Sequence, residues 1–194
     1  STLGPCIGTG DKPQSKLWYN DGYFWAVLQN EDGSFIYKLS GGTWSQETFV
    51  NAETNHGVDG HEDVLWNGSE LFVLTQASKA ILTAFSYDPA LDTYTMKPGF
   101  PVEFSIAGGC ETIVLDQDST GRLWAAYEGG GNIYVAYTTS DDHLTWATPG
   151  VVLRSGVNDD DVAAVVRFGG NKVGVFWSDQ NRWEFGFRVH RDGD

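Results

Sequence analysis

Short apolar runs separated by glycine-containing turns occupy almost the whole chain. The pattern is most complete where apolar runs at residues 112–115, 123–127 and 133–137 are followed by a fourth run at 151–153. Side chains in a β-strand point alternately to two faces, and runs of this length joined by tight turns are typical of antiparallel strands. Residues 111–153 are therefore predicted to form one four-stranded, blade-like sheet.

The same unit recurs along the chain at a period of about 50 residues, a spacing typical of propellers rather than solenoids. Turns such as Asn20-Asp21-Gly22 and Asn67-Gly68 separate its runs, because Gly and Asn tolerate the positive φ that tight hairpins require. The predicted fold is all-β: a β-propeller built of four-stranded antiparallel blades, with about four blades in this chain. The predicted blades cover residues 11–57, 58–107, 108–157 and 158–194.

The fourth copy of the unit ends at Asp194, before its outermost strand would begin. Either residues 1–10 supply the missing strand and close a four-bladed ring, or the chain is part of a larger propeller. An open arc would leave blade faces uncovered, and terminal repeats normally need capping. We expect a single domain over residues 1–194, and the break within a motif slightly favours the larger propeller.

Composition and charge narrow the function classes. A formal net charge of −14 argues against a nucleic-acid partner, since phosphate binding uses clustered Lys and Arg. No run of about 18 apolar residues predicts a membrane span, and the best helical candidate, residues 77–84, is too short to change the class. The chain begins at Ser1 and has one methionine, so we expect a processed or truncated product, secreted or at a bacterial cell surface.

The two cysteines, Cys6 and Cys110, lie far apart and lack the CxxC spacing of zinc or redox sites. In an extracellular protein we expect them to form a long-range disulfide, with two buried thiols as the alternative. Cys6 precedes the innermost strand of the first blade and Cys110 that of the third. Both are therefore expected at the same mouth of the propeller channel.

One turn resembles a known family motif. The sequence Thr139-Ser140-Asp141-Asp142-His143-Leu144-Thr145-Trp146 is similar to the Asp-box, S/T-x-D-x-G-x-T-W, of sialidase-like (BNR-repeat) propellers, with His143 in place of the glycine. Shorter likenesses occur at Ser40-Gly41-Gly42-Thr43-Trp44, at residues 88–94 and at His190-Arg191-Asp192-Gly193.

The resemblance implies structural roles: Asp141 accepts backbone hydrogen bonds in the turn, and Trp146 and Trp44 pack between blades. It does not extend to sialidase chemistry, for which the family implies three arginines around a substrate carboxylate. Arg122 is the first arginine of the chain, and the six arginines present do not occupy equivalent blade positions.

Acidic residues recur just before each predicted innermost strand, in loops that would converge at one mouth of the channel. Clustered carboxylates repel one another, raise one another's pKa values or recruit a cation. These residues are Asp11, Glu62, Asp63, Glu111, Asp159, Asp160 and Asp161.

Three interpretations of this acidic cluster remain open. The residues are either solvated turn residues, or oxygen ligands of a hard cation such as Ca²⁺ at Asp159, Asp160 and Asp161, or a glycosidase-like pair. For the pair, the candidates are Glu62 and Glu111. Further ligand-binding candidates at the mouth are His61, Asp63, Asp11, Asp159 and Asp160.

Most tryptophans lie inside apolar runs and are predicted to fill the core between blades. Tyr19 and Trp183 alternate with polar residues and are expected to be partly exposed. Stacking against sugar rings is the functional alternative to a packing role for them. The sequon Asn67-Gly68-Ser69 is interpreted as an ordinary hairpin turn.

The sequence therefore predicts an extracellular or cell-surface binding module for a glycan or a protein. The alternatives are a carbohydrate-active, glycoside hydrolase-like enzyme that uses the mouth carboxylates, and a structural module that associates with other copies to complete its ring.

Overall fold

The computed structural model describes residues 14–52, 61–108 and 110–193. These residues are all-β except for one short 3₁₀-helix at Gln180–Arg182, and no helix among them is long and apolar enough to cross a membrane. The strands are β1 Leu17–Asn20, β2 Tyr23–Asn30, β3 Gly33–Ser40, β4 Thr43–Asn51, β5 Glu62–Trp66, β6 Glu70–Gln76, β7 Ala80–Asp88, β8 Thr93–Met96, β9 Val102–Phe104, β10 Ile113–Gln117, β11 Leu123–Gly129, β12 Asn132–Thr138, β13 Trp146–Ser155, β14 Ala163–Phe168, β15 Lys172–Asp179 and β16 Glu184–Arg191.

Neighbouring strands pair in chain order within four sheets: β1–β4, β5–β8, β10–β13 and, among the described residues, the three strands β14–β16. The pairings are antiparallel, as predicted. The all-β class and the strand positions are thus confirmed, and the weak helical signal at residues 77–84 gives way to the start of β7. The extent of the domain and the closure of a ring remain predictions.

The chain divides into two compact units. Unit 1 comprises Ser1–Ala77 and Ile81–Pro101, and unit 2 comprises Ser78–Ala80 and Val102–Asp194. The core of unit 1 is aromatic: Trp25 is fully buried, and the Trp18 indole N–H donates to the Tyr94 hydroxyl at 2.8 Å. Burial of an aromatic side chain of this size stabilises a fold by about 3 kcal/mol. The burial of Trp18 and Trp25 confirms their predicted role in the core.

The core of unit 2 lies between the sheet β10–β13 and the sheet β14–β16. Trp124 packs there with Val165, Val175 and Trp177. Trp177 pairs with Gly186 on the neighbouring strand, and a Cβ atom at that glycine would lie 2.0 Å from the indole ring. The ring therefore covers the glycine, and no other residue fits this position without repacking.

Tight turns join the strands as their sequences predict. Asp21 and Gly22 have φ of 50° and 83°, and Gly130 and Gly131 have φ of 57° and 76°. Each pair occupies the two central positions of a hairpin, where positive φ matches the turn to the twist of its strands.

The turn whose sequence resembles the Asp-box contains a buried histidine and an aspartate that accepts a backbone hydrogen bond. His143 takes the position of the family's glycine with φ of 62° and is buried. The backbone N–H of Leu144 donates to Asp142 Oδ1 at 3.1 Å, so Asp142 is an acceptor in this turn, and the role expected of Asp141 stays a prediction. Trp146 stacks on Phe104 with ring centroids 4.2 Å apart.

Trp44, the other tryptophan given a structural role by the resemblance, packs against a small cluster in unit 1 that contains Leu28 and Tyr37. These residues belong to β2 and β3 of its own sheet, so the packing of Trp44 between blades stays a prediction. The assignment of the repeats to the Asp-box family itself stays a prediction.

Candidate functional site

Glu62 begins β5 in unit 1 and is fully buried. Its Oε1 accepts a hydrogen bond from the Ser34 hydroxyl, and its Oε2 lies 3.7 Å from Lys16 Nζ. The Lys16 ammonium also donates to the Glu62 backbone carbonyl. Burial lowers the pKa of Lys16, and the charges of Glu62 and Asp63 oppose that change. Both carboxylate oxygens of Glu62 are therefore engaged in internal contacts.

The neighbours of Glu62 attach the segment before β1 to β5. The Ser15 backbone N–H donates to Asp63 Oδ1 at 2.6 Å, and the Gln14 amide donates to the His61 carbonyl at 3.3 Å. His61 and Asp63 are both buried. In unit 1, then, the predicted acidic loop forms a buried polar network around the start of a strand.

The corresponding end of unit 2 holds a different carboxyl group. We call it the mouth end of unit 2: the end at which β10 and β14 begin and β11 and β15 finish. Glu128 is the penultimate residue of β11 and is 2% exposed. Its Oε1 accepts a hydrogen bond from the Gly131 N–H at 2.7 Å, and its Oε2 is buried with no hydrogen-bond partner among the described residues.

The local sequence explains why Glu128 is held this way. The turn Gly130-Gly131 reverses the chain directly after the glutamate and aims the Gly131 N–H back at it. The Gly131 carbonyl accepts hydrogen bonds from the N–H groups of Gly156 and Val157, at 2.8 and 3.1 Å. A loop of the preceding segment also approaches closely, since a Cβ at Gly129 would meet the Ala107 side chain at 2.8 Å.

This environment changes the acidity of Glu128. Burial raises the pKa of the Glu128 carboxyl to about 7, with further increases from the charges of Asp159 and Asp161, while the backbone N–H groups of Gly131 and Asn132 act in the opposite direction. A carboxyl group with this pKa exchanges its proton near neutral pH, which is the property required of a general acid.

Cys110 lies in the same neighbourhood. Its thiol contacts the Thr112 carbonyl at 3.4 Å, and burial, followed by the charge of Glu128, raises the pKa of Cys110 to about 12. The group is therefore a thiol at neutral pH and a poor nucleophile. Cys6 lies outside the described residues, so the disulfide between the two stays a prediction.

The three aspartates proposed as calcium ligands have different environments. Asp161 is buried and accepts hydrogen bonds from the Asn158 N–H at 2.7 Å, the Ser178 hydroxyl at 2.7 Å and the Gln180 N–H at 3.1 Å. Asp159 and Asp160 are exposed. Within residues 14–52, 61–108 and 110–193, no group of three His, Cys, Asp or Glu side chains could hold a metal ion. The structure thus uses Asp161 to organise a turn.

An exposed tryptophan stands at the same mouth end, after the 3₁₀-helix that follows β15. Trp183 is 96% exposed and has φ of 55°, a left-handed conformation that is uncommon for a bulky residue. Beside it, the buried carboxylate of Asp179 pairs with Arg154 Nε at 2.8 Å and with Arg182 Nη1 at 2.9 Å. These arginines lower the pKa of Asp179 against the effect of its burial.

The remaining candidates are distributed as follows. Glu111 is exposed and belongs to unit 2, whereas Glu62 belongs to unit 1. Tyr19 is 59% exposed, with its ring 5.2 Å from that of Phe24. Asp11 lies outside the described residues.

Sequence reasoning missed Glu128 because it considered only the loops that lead into the innermost strands. In an antiparallel pair, the end of the second strand lies beside the start of the first; Ile113 of β10 pairs with Tyr127 of β11. A carboxyl residue at the end of an apolar run and followed by three glycines was the available signal, since an acid is rarely buried unless another group contacts it.

No known protein family and no curated protein matches the sequence. Solved structures do resemble it. One, described as the GH43 β-1,3-galactosidase, has a TM-score of 0.54 and 14% identity, covering 97% of this chain and 46% of that one. Another, described as "Bacteroides ovatus Xyloglucan PUL GH43B", has a TM-score of 0.54 and 10% identity, covering 98% and 40%.

At these identities the similarity shows a shared fold, not a shared activity. It agrees with the propeller-type arrangement of blades predicted from the repeat. This chain spans less than half the length of either structure.

Proposed function

We propose that the chain is a carbohydrate-active β-propeller of the glycoside hydrolase kind, with Glu128 as its proton donor. The observation that carries the proposal is the environment of Glu128: a buried carboxyl at the mouth end of unit 2, with one oxygen unpartnered among the described residues and a pKa of about 7. The fold likeness to two GH43 proteins supports the substrate class. This function was the alternative in the sequence-based interpretation, and it replaces the binding module as the leading one.

Asp159 is proposed as the second carboxylate. It is exposed, and its charge is one of the causes that raise the pKa of Glu128, so the two groups lie within electrostatic range. Glycosidases separate the tasks of acid and base between two such carboxyl groups, whose environments drive their pKa values apart.

The chemistry assigned to the pair is hydrolysis of a glycosidic bond. Glu128 transfers its proton to the glycosidic oxygen as the bond from that oxygen to the anomeric carbon breaks. Asp159 accepts a proton from the water whose oxygen bonds to the anomeric carbon. One proton leaves the pair and one returns to it, and exchange with solvent restores the starting state. The glycosidic oxygen must reach Glu128 Oε2 for this step.

The test is hydrolysis of a panel of aryl glycosides and plant and bacterial oligosaccharides by the wild-type chain and by Glu128→Gln. General acid catalysis contributes about 10² to 10⁴ in rate, so Glu128→Gln should lose that much activity on substrates with poor leaving groups. Wild-type activity should fall as pH rises through about 7, because the donor loses its proton there.

Glu103→Gln is the matched control, since Glu103 is an exposed partner of Lys79 in the same unit. Asp159→Asn should lose activity as Glu128→Gln does. Hydrolysis that is unchanged in Glu128→Gln would refute the assignment of the donor. A wild-type chain that cleaves none of the panel would refute the enzymatic function.

A glycan-binding module is the second candidate, and Trp183 favours it. A left-handed backbone at a bulky residue costs about 1–3 kcal/mol, and this side chain recovers none of that cost by packing because it is 96% exposed. An exposed aromatic ring at the mouth end is a suitable platform for a sugar ring. Binding on a glycan array that is lost in Trp183→Ala, and kept in the exposed-aromatic control Phe185→Ala, would support this candidate.

We further propose that neighbouring blades complete the assembly. The sheet β14–β16 leaves Val166, Phe176 and Phe187 of one face exposed, a pattern that favours coverage by another blade. We propose that this assembly forms by self-association of the chain. We also propose that the protein is secreted and that its repeats are of the Asp-box type. Light scattering of the purified chain tests the self-association, and a strictly monomeric chain would exclude closure by other copies.

A further inference from the structure

A cleft of about 310 Å³ opens between the two sheets of unit 2. Its volume is at the lower end of the range of small-ligand sites. β11–β13 form one wall, and β15 and β16 form the other. The lining residues that matter here are Trp124, Tyr137, Val151, Val175, Arg188 and His190.

The cleft is separate from the mouth end of unit 2. Trp124 pairs with Asp116 near the turn that joins β10 to β11, whereas Glu128 lies at the opposite end of β11. Four residues of extended strand separate the two side chains, which is about 13 Å at the usual rise per residue. A ligand in the cleft would therefore not contact the Glu128 carboxyl.

Cationic groups lie at the rim of this otherwise apolar cleft. The Arg122 guanidinium lies 5.3 Å from the centroid of the Tyr137 ring and 5.9 Å from that of Trp124. Arg188 is exposed at the opposite wall. In the described part of the chain, Arg122 and Arg188 have no carboxylate partner, unlike Arg154 and Arg182, and no acidic residue lines the cleft.

This distribution is unusual for the protein as a whole. The chain has 26 acidic and 12 basic residues, so a cleft lined by two arginines and no acidic residue differs in charge from the chain as a whole. Guanidinium groups bind carboxylates through paired, charge-assisted hydrogen bonds. Apolar and aromatic walls in turn bury the flat face of a ring.

We propose that the cleft binds a carboxylate carried on a single six-membered ring. The carboxylate contacts Arg122 and Arg188 at the rim, and the ring lies against Tyr137, Val151 and Val175. A volume of about 310 Å³ corresponds to about ten water molecules, which accommodates one ring and its carboxylate but not a long oligosaccharide. This site does not depend on the proposed hydrolytic function.

Two classes of compound carry a carboxylate on a six-membered ring, uronic acids and aromatic acids, and the experiment distinguishes them. Sodium glucuronate, sodium benzoate, glucose and benzyl alcohol are titrated by calorimetry into the complete chain. Two-dimensional NMR in parallel follows the indole N–H of Trp124, which donates to Asp118 at 2.8 Å. One or both acids should bind with a Kd below about 10 mM and shift the Trp124 indole signal. Glucuronate should bind more tightly than glucose, or benzoate more tightly than benzyl alcohol.

Substitution of the two rim arginines tests whether the carboxylate binds to them. Charge-assisted hydrogen bonds of this kind correspond to about a tenfold to hundredfold change in affinity. The double variant Arg122→Gln/Arg188→Gln should therefore bind at least tenfold more weakly. Arg191→Gln is the matched control: Arg191 is also exposed on β16, three positions from Arg188, so it faces the other side of the strand.

Binding of glucuronate alone supports a uronic acid ligand, binding of benzoate alone supports an aromatic acid, and binding of both supports the shared chemistry. The proposal is overturned if neither acid binds, if glucose or benzyl alcohol binds as well as its acid, or if the double variant retains full affinity. It is also overturned if Arg191→Gln weakens binding as much as the double variant does, since the effect would then be one of net charge.

Discussion

Replacing Glu128 with glutamine should change how the stability of the chain depends on pH. Glutamine keeps the shape of the side chain and an oxygen that accepts the Gly131 N–H, but it has no proton to lose. In the wild type, burial raises the pKa of Glu128 from its ordinary value of 4.5 to about 7. Below pH 4.5 the carboxyl is protonated in both folded and unfolded chains, so the substitution removes no charge.

Between pH 4.5 and 7 the unfolded chain releases this proton while the folded chain retains it. The folded state then binds more protons, so the free energy of unfolding falls as pH rises and becomes level above about 7. Each pH unit of this interval lowers the free energy of unfolding by at most about 1.4 kcal/mol, so the total loss between pH 4.5 and 7 is at most about 3 kcal/mol. Solvent screening at the mouth end reduces this value, and we expect a loss of about 1–3 kcal/mol.

The measurement is urea denaturation of both proteins at pH 4.5, 6 and 8 and constant ionic strength, at unchanged m-values. The free energy of unfolding of Glu128→Gln minus that of the wild type should increase by about 1–3 kcal/mol from pH 4.5 to 8. Carboxyl groups common to both proteins cancel in this difference, and Glu103→Gln should show no such trend. A difference that is constant with pH, or that decreases, would refute the claim that burial raises the pKa of the Glu128 carboxyl.

Glu62→Gln should destabilise the chain by about 3 kcal/mol in chemical denaturation, because it removes the charge that offsets the burial of Lys16; a loss below about 0.5 kcal/mol would show that the pair is solvated. Gly186→Ala should lower the melting temperature and cost at least about 2 kcal/mol, since its Cβ would overlap the Trp177 ring, and an unchanged melting temperature would contradict this packing. Cys110 should resist iodoacetamide at pH 8 in the reduced, folded chain and react on unfolding, because burial raises its pKa to about 12; rapid modification of the folded chain would contradict the burial.

Local features of the fold were predictable from the sequence because their causes are local. The Asp21-Gly22 and Gly130-Gly131 turns need residues that accept positive φ, and alternating apolar positions need one face buried. The Asp-box-like turn shows where this reasoning stops. Two adjacent aspartates, Asp141 and Asp142, are both suited to a turn, and only the structure shows that Asp142 accepts from the Ser140 hydroxyl and the Leu144 N–H.

The candidate site was less predictable. An acidic residue before a strand indicates that a carboxyl lies at a sheet end, but not whether water, a cation or the protein surrounds it. Glu62 and Glu111 occur in equivalent positions of two repeats, yet one is completely buried beside Lys16 and the other is exposed. The difference arises from the segment before β1, whose lysine reaches β5 across 46 residues of sequence.

The sequence by itself determined the class of fold, the four repeats and the positions of the strands, since these depend on periodicity and turn chemistry. Only the tertiary structure decided which carboxyl could act as an acid. Glu128 has its raised pKa because it is buried, and because Asp159 and Asp161, more than 30 residues away along the chain, place their charges nearby. Desolvation is a property of packing.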